Sequence, residues 1–139
     1  MKPVLLDTGV IVALLDRSER HHAQCVTVVE DLERALVTCE AVIAESCYLL
    51  RRLPGASETV LENVERGVFH LPFQLSQSAA QVGSLLRKYR DVPADFADAC
   101  LIRLAEQLNT GDILTLDRDF ELYRWRRTRR FRLLINLEE

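Results

Sequence analysis

The sequence predicts an α/β fold, a parallel sheet covered by helices on both faces. Three observations carry this expectation. Short apolar, β-prone segments alternate with longer segments of helical periodicity along the chain, the pattern of repeated β-α-β units. The 139 residues fall in the range of one domain, predicted to span 1–139, and can bury a core without staples. Apolar residues make up 48% and charged residues 28%, as in an ordinary globular chain, which excludes a disordered reading.

Residues 3–6 read as a short buried strand. A helix starts over residues 10–16, and a longer one covers 21–34. Residues 35–39 are β-prone, and a strongly apolar helix follows over 41–52. Pro54-Gly55 is a break. Ser57 is the expected cap of a helix running to Arg66, which Gly67 ends. Residues 68–73 form the third strand, and a helix over 78–89 stops before Pro93. From 95 to 109, Phe96, Ala99, Cys100, Ile102 and Leu104 recur with clean helical spacing. Gly111 is the expected stop. Residues 112–116 are the fourth strand and 131–137 the fifth. Crossovers between parallel strands are right-handed. In such sheets, sites form beyond the C-terminal strand ends where strand order reverses.

No apolar run approaches the roughly 20 residues that cross a bilayer. The first residues hold one lysine and then Asp7, with no signal-peptide pattern, so a cytoplasmic protein is expected. The cysteines at 25, 39, 47 and 100 form no C-x-x-C pair and sit among apolar neighbours, as reduced core residues do. His21 and His22 are adjacent, with no cysteine at zinc-site spacing, and read as a surface pair. The net charge of −3 is uneven: residues 118–132 hold seven arginines against Asp119 and Glu121, so this strip carries +5 and the remainder −8. An acidic body with a basic strip fits a cation site beside an anion-binding surface. A charged, solvated helix has the same composition.

The acids hold the chemistry. Asp7 follows the first strand in VLLDTGVIVALLD, and Asp117 follows the fourth in ILTLDRDF. Each alone reads as a cap or turn residue. Glu45 does not, because its helical neighbours Ala41, Val42, Tyr48 and Leu49 are apolar, and an unpaired buried carboxylate is costly. Asp95 and Asp98 open the helix PADFADACLIRLAE at i, i+3 spacing, where an N-cap and an N3 acid belong. Asp98 also has apolar neighbours. Taken together, acids clustered at one crevice repel one another. A hard divalent cation with oxygen ligands, Mg²⁺ or Mn²⁺, resolves that repulsion and can activate water against a phosphodiester.

With these three segments, the helix AVIAESCYLL that holds Glu45 and a closing FRLL strand, in order and at the expected spacing, the chain resembles the PIN-domain family, in particular VapC-type toxins. The resemblance covers essentially the whole chain. It implies a five-stranded parallel sheet in order 3-2-1-4-5 within an α/β/α sandwich. It implies Mg²⁺- or Mn²⁺-dependent endoribonuclease activity as the toxin of a toxin–antitoxin pair. The core acids would be Asp7, Glu45, Asp98 and Asp117, with Asp7, Asp98 and Asp117 as metal ligands. Asp95 is an extra acid of some members, Asp119 is peripheral, and Thr8 and Thr115 resemble polar residues lining the site. The partners it implies are RNA, an antitoxin protein and a second copy in a homodimer. In the strip YRWRRTRR, a helix-like stretch would place Tyr123, Arg124 and Arg127 on one side. Arg124, Arg126 and Arg127 are the candidate RNA contacts beside the acids, with Trp125 free to stack on a base. The alternatives are a solvated connection or a face that meets the antitoxin or a second subunit.

Other acid-based chemistries fit poorly. An aspartic protease needs two D-T-G loops on a β-rich fold. A haloacid-dehalogenase-type phosphatase needs an acid where Gly9 stands, and a receiver domain needs a late-strand lysine, whereas the lysines are Lys2 and Lys88. The alternative from another class is a non-catalytic PIN-like module that binds RNA or serves as a scaffold.

Overall fold

The computed structural model describes residues 1–137. β1 is Val4–Leu6, β2 Leu36–Val37, β3 Phe69–His70, β4 Asp112–Leu114, β5 Arg124–Trp125, β6 Arg129–Arg130 and β7 Arg132–Leu133. The helices are α1 Thr8–Leu15, α2 His22–Asp31, α3 Glu40–Leu49, α4 Ala56–Glu65, α5 Ala79–Lys88 and α6 Phe96–Leu108. Short 3-10 turns occupy Leu75–Gln77 and Arg118–Glu121.

Five strands form a parallel sheet in order β3-β2-β1-β4-β7. This is the predicted order, with β7 as the fifth parallel strand. Val4, Leu5 and Leu6 are all fully buried although successive strand residues point to opposite faces, so both faces of β1 are covered. The register pairs Leu5 with Val37 on one side and with Ile113 on the other. β1 is thus the central strand, and the order reverses between it and β4. α1 packs on α2 and α3, α3 on α4 and α6, and α5 on α6. Among the described residues no helix is long and apolar enough to cross a membrane. All four cysteines are free, and Cys25, Cys39 and Cys100 are buried.

Four local expectations change. α4 is preceded by Gly55 in the left-handed region (φ 79°), and Ser57 sits inside the helix, its Oγ bonding Cys47 O on α3. The five sheet strands are shorter than predicted, β1 at its start, β4 at its end and the other three at both ends. The strip after β4 is not helix-like: β5 and β6 pair as an antiparallel hairpin. Finally, the left-handed residue that ends α6 is Asn109 (φ 55°), not Gly111. Gly111 is there because the Trp125 ring lies against it, and a Cβ at that position would run into Trp125 Nε1. Gly111→Ala is therefore expected to destabilise the fold by about 1–3 kcal/mol, the usual range for overpacking. Thermal melts read this, and an unchanged melting temperature would contradict it.

Candidate active site

β1 ends at Leu6, and the next residue, Asp7, extends the pairing with β4 by donating its N–H to Leu114 O (3.0 Å). Its extended backbone (φ −96°, ψ 162°) makes it the N-cap of α1, where Oδ1 accepts from Thr8 N at 2.8 Å. The capping role is real, yet it uses one lone pair of a carboxylate only 6% exposed. The second oxygen accepts from the buried Thr115 hydroxyl just past β4 (2.6 Å). Thr115 Oγ1 in turn accepts from Asp117 N at 3.0 Å, and Asp117 Oδ1 accepts from Asp119 N at 2.9 Å, capping the 3-10 turn. One chain of bonds thus ties the ends of the two central strands together.

Glu45 enters from the middle of α3. Its Oε1 accepts from Thr8 Oγ1 at 2.8 Å, so Thr8 joins it to the Asp7 turn. Asp98 enters from the first turn of α6. Asp95 and Asp98 form a reciprocal capping box, with Asp98 N donating to Asp95 Oδ1 (2.9 Å) and Asp95 N to Asp98 Oδ2 (3.2 Å). Asp98 is nevertheless buried, and Asp98 Oδ2 accepts a further bond from Tyr123 Oη at 3.2 Å.

Tyr123 was not anticipated from the sequence as a site residue. It is fully buried and packs edge-on against Tyr89 and Phe120, with ring centroids 5.1 and 5.0 Å away. A buried tyrosine hydroxyl needs a partner, and here the partner is a site acid. The available signal was four aromatics, Phe120, Tyr123, Trp125 and Phe131, in a charged segment. That marks a small buried cluster, although nothing in it points to Asp98.

The acids share one cleft of about 320 Å³, lined by Asp7, Thr8, Glu45, Asp95, Asp98 and Asp117 with apolar walls from Leu49, Pro93 and Leu116. Burial pushes the Asp7 carboxyl up to about 6, with the Thr115 and Thr8 bonds opposing and the charges of Asp117 and Glu45 adding to the rise. Burial, then the neighbouring Asp95 charge, pushes Asp98 up to about 7. Asp119 is held above its ordinary value by burial and by Asp117, but it stands outside the cleft lining. Among the described residues no lysine or arginine pairs with any of the five cleft acids. Nor do any three acidic, histidine or cysteine side chains there stand close enough to cage an ion directly. The donors are all oxygen, anionic and uncompensated, and the threonine bonds hold them around the cleft rather than in contact. That set fits a hard cation that keeps much of its water shell.

The arginines lie elsewhere. Arg124 Nη1 donates to the carbonyls of Glu121, Leu122 and Tyr123. Arg126 is fastened to Glu106 and Asn109 near the end of α6, away from Asp98. Arg127 is exposed at the hairpin turn. Trp125 is only 5% exposed, with its Nε1 bonded to Arg130 O, so no base can stack on it as expected.

Comparison with known proteins agrees with this architecture. The family model for the PIN domain matches residues 4–126. Ribonuclease VapC26 of Mycobacterium tuberculosis is 32% identical over 117 residues, covering 83% of this chain and 87% of that protein. The crystal structure of Mycobacterium tuberculosis VapC20, described as a toxin that cleaves the sarcin-ricin loop, superposes with a TM-score of 0.79. It covers 86% of this chain and 93% of the other at 17% identity. The chain belongs to the PIN-domain family, among its VapC-type members.

Proposed function

We propose that this chain, acting as one nuclease unit over residues 1–139, is a Mg²⁺- or Mn²⁺-dependent endoribonuclease and the toxin of a toxin–antitoxin pair. The observation that carries the reading is the single cleft into which Asp7, Glu45, Asp95, Asp98 and Asp117 converge without a cationic side chain among the described residues. The likeness to Ribonuclease VapC26 supports RNA as substrate.

Asp7, Asp98 and Asp117 would hold the ion. Bound there, it would supply charge stabilisation for the phosphate and acidify a water. Thr115 fixes the rotamer of Asp7. Asp98 gives Oδ2 to two donors, Asp95 N and Tyr123 Oη, which leaves Oδ1 to face the cleft. Glu45, with Oε1 held by Thr8, keeps Oε2 to orient the attacking water and take its proton. Asp95 sits exposed at the rim and adds to the field. For protein partners, an antitoxin and a second copy, the support is the row of exposed apolar side chains on and between α3 and α4, Tyr48, Leu49, Leu53 and Leu61.

The test is cleavage of structured RNA by purified, antitoxin-free protein with Mn²⁺, and its loss with a chelator. No cleavage under any divalent ion would favour the binding or scaffolding module. Tyr123→Phe keeps the aromatic packing and removes one donor to Asp98. It is expected to weaken Mn²⁺ binding by calorimetry about tenfold, as loss of a group that orients a metal ligand does. Wild-type affinity in that variant would make Tyr123 merely a packing residue.

A further inference from the structure

We infer that the hairpin of β5 and β6 is a rigid phosphate-binding arm, presenting Arg127, Arg129 and Arg130 to the RNA backbone outside the cleavage cleft. This rests on the nuclease reading above and adds where the rest of the substrate lies.

The backbone is the first observation. Arg126 (φ 47°) and Arg127 (φ 72°) are consecutive left-handed residues at the turn. Turns of that kind favour glycine and asparagine. A charged strip serving only solubility has no need of two arginines there, and such strain persists where the surroundings over-determine it. The surroundings do. Arg126 N donates to Glu106 Oε2 (3.0 Å), its Nη1 to Asn109 Oδ1 (2.8 Å) and its Nη2 to Glu106 O (2.9 Å). At the base of the hairpin, Arg124 N donates to Tyr89 Oη at 2.9 Å. Trp125 Nε1 closes the two strands onto Arg130 O at 3.2 Å.

The second observation is what this frame leaves over. Arg127, Arg129 and Arg130 are exposed and, among the described residues, none has a hydrogen-bonded or ion-paired acid. Arg129 rests over the Trp125 ring, 5.3 Å from its centroid, which fixes its direction without neutralising it. Because β5 and β6 pair Arg124 with Arg130 and Trp125 with Arg129, Arg129 and Arg130 point to opposite sides of the hairpin. Three exposed guanidinium groups are thus carried on the hairpin, that of Arg129 held in place by the Trp125 ring. Planar forks of this kind suit phosphate oxygens, which accept two parallel bonds.

The third observation is position. Glu106 and Asn109, which anchor the turn, lie about 12–16 Å along α6 from Asp98 at 1.5 Å per residue. Phosphates held there belong to nucleotides beyond the one being cut. An acidic body repels a polyanion, and this arm supplies the attraction that lets the strand approach.

The experiment compares wild type with a protein carrying Arg127→Gln, Arg129→Gln and Arg130→Gln, titrating a fluorescent RNA of about 20 nucleotides over a range of salt. Loss of three phosphate contacts should weaken binding at least tenfold and flatten the slope of log K against log salt by about 2. Mn²⁺ affinity should not move. Wild-type affinity and slope in the variant would overturn the arm, as would equal competition by polyglutamate, which would assign the hairpin to an acidic protein. A second variant, Arg127→Gly, relieves the left-handed strain, so its melting temperature should rise while RNA affinity falls. A lower melting temperature with unchanged affinity would make Arg127 structural and sink the proposal. Wild-type cleavage is measured alongside. If the arm variant loses affinity but wild type cuts no RNA, the arm stands and the nuclease reading falls.

Discussion

Asp7→Asn is expected to abolish RNA cleavage, by at least about a hundredfold, and at the same time to stabilise the metal-free protein. The loss follows from removing a negative ligand at the centre of the cleft, where an ion's charge stabilisation is worth several kcal/mol. The gain follows from the geometry. Asp7 is 6% exposed, its carboxyl is pushed up to about 6, and no cationic group faces it among the described residues. At neutral pH its ionised form opposes folding by up to about 3 kcal/mol. Asparagine keeps the N-cap, since Oδ1 can still accept from Thr8 N, and its amide can donate to Thr115 Oγ1. What is lost is the acceptor for the Thr115 hydroxyl proton, a penalty of about 1 kcal/mol. The net is a higher melting temperature in chelator together with an inactive enzyme. A variant that cleaves at the wild-type rate would remove Asp7 from the catalytic set. One that melts well below wild type would mean the carboxylate is chiefly structural.

Much of this arrangement was legible in the chain. Asp7 and Asp117 follow apolar strands, and in a parallel sheet residues just past neighbouring strands must share a crevice. Glu45 stood out because its helical neighbours Ala41, Val42, Tyr48 and Leu49 are apolar and neither Arg51 nor Arg52 stands at i+4 to pair with it. Yet Tyr48 and Leu49 are exposed and Glu45 is only half-buried, so what ties it to the cleft is the bond from Thr8. The Asp95–Asp98 spacing was legible as a capping box, and both readings hold, since the box turns Asp98 into the cleft. The hairpin was not legible. Local rules look for Gly or Asn at such a turn, and Arg126 and Arg127 conceal it. The link from Tyr123 to Asp98 spans 25 residues and depends on how the aromatic cluster docks on α6. The need for glycine at 111 comes from Trp125, a tertiary neighbour that no local pattern announces.

Binding of Mn²⁺ should therefore stabilise the protein strongly at pH 8 and hardly at all at pH 5. In the folded, metal-free protein Asp7 and Asp98 titrate near about 6 and about 7, above the 3.8 of an exposed aspartate. A folded-state value raised in this way means the native protein holds protons that the unfolded chain has already released. These two groups therefore favour folding most below about pH 4, and that contribution is lost as pH rises through 6 to 7. Asp112 works in the opposite sense. Its bonds to Arg132 and Arg34 hold it down at about 2, so its contribution is present above about pH 4 and lost as pH falls towards 2. A divalent ion needs the carboxylates ionised and so competes with their protons. Between pH 7 and 6 its apparent affinity should fall up to about tenfold, as Asp98 takes up a proton, and below 6, where both acids are protonated, up to about a hundredfold per pH unit. Cleavage at limiting Mn²⁺ should follow the same two slopes. Paired thermal melts in Mn²⁺ and in chelator, at pH 5 and pH 8, measure the effect directly. An equal Mn²⁺-induced rise at both pH values would place the ion away from Asp7 and Asp98. So would a full rise at pH 8 in Asp7→Asn, because that variant keeps the shape of the cleft while removing the charge that draws the ion into it.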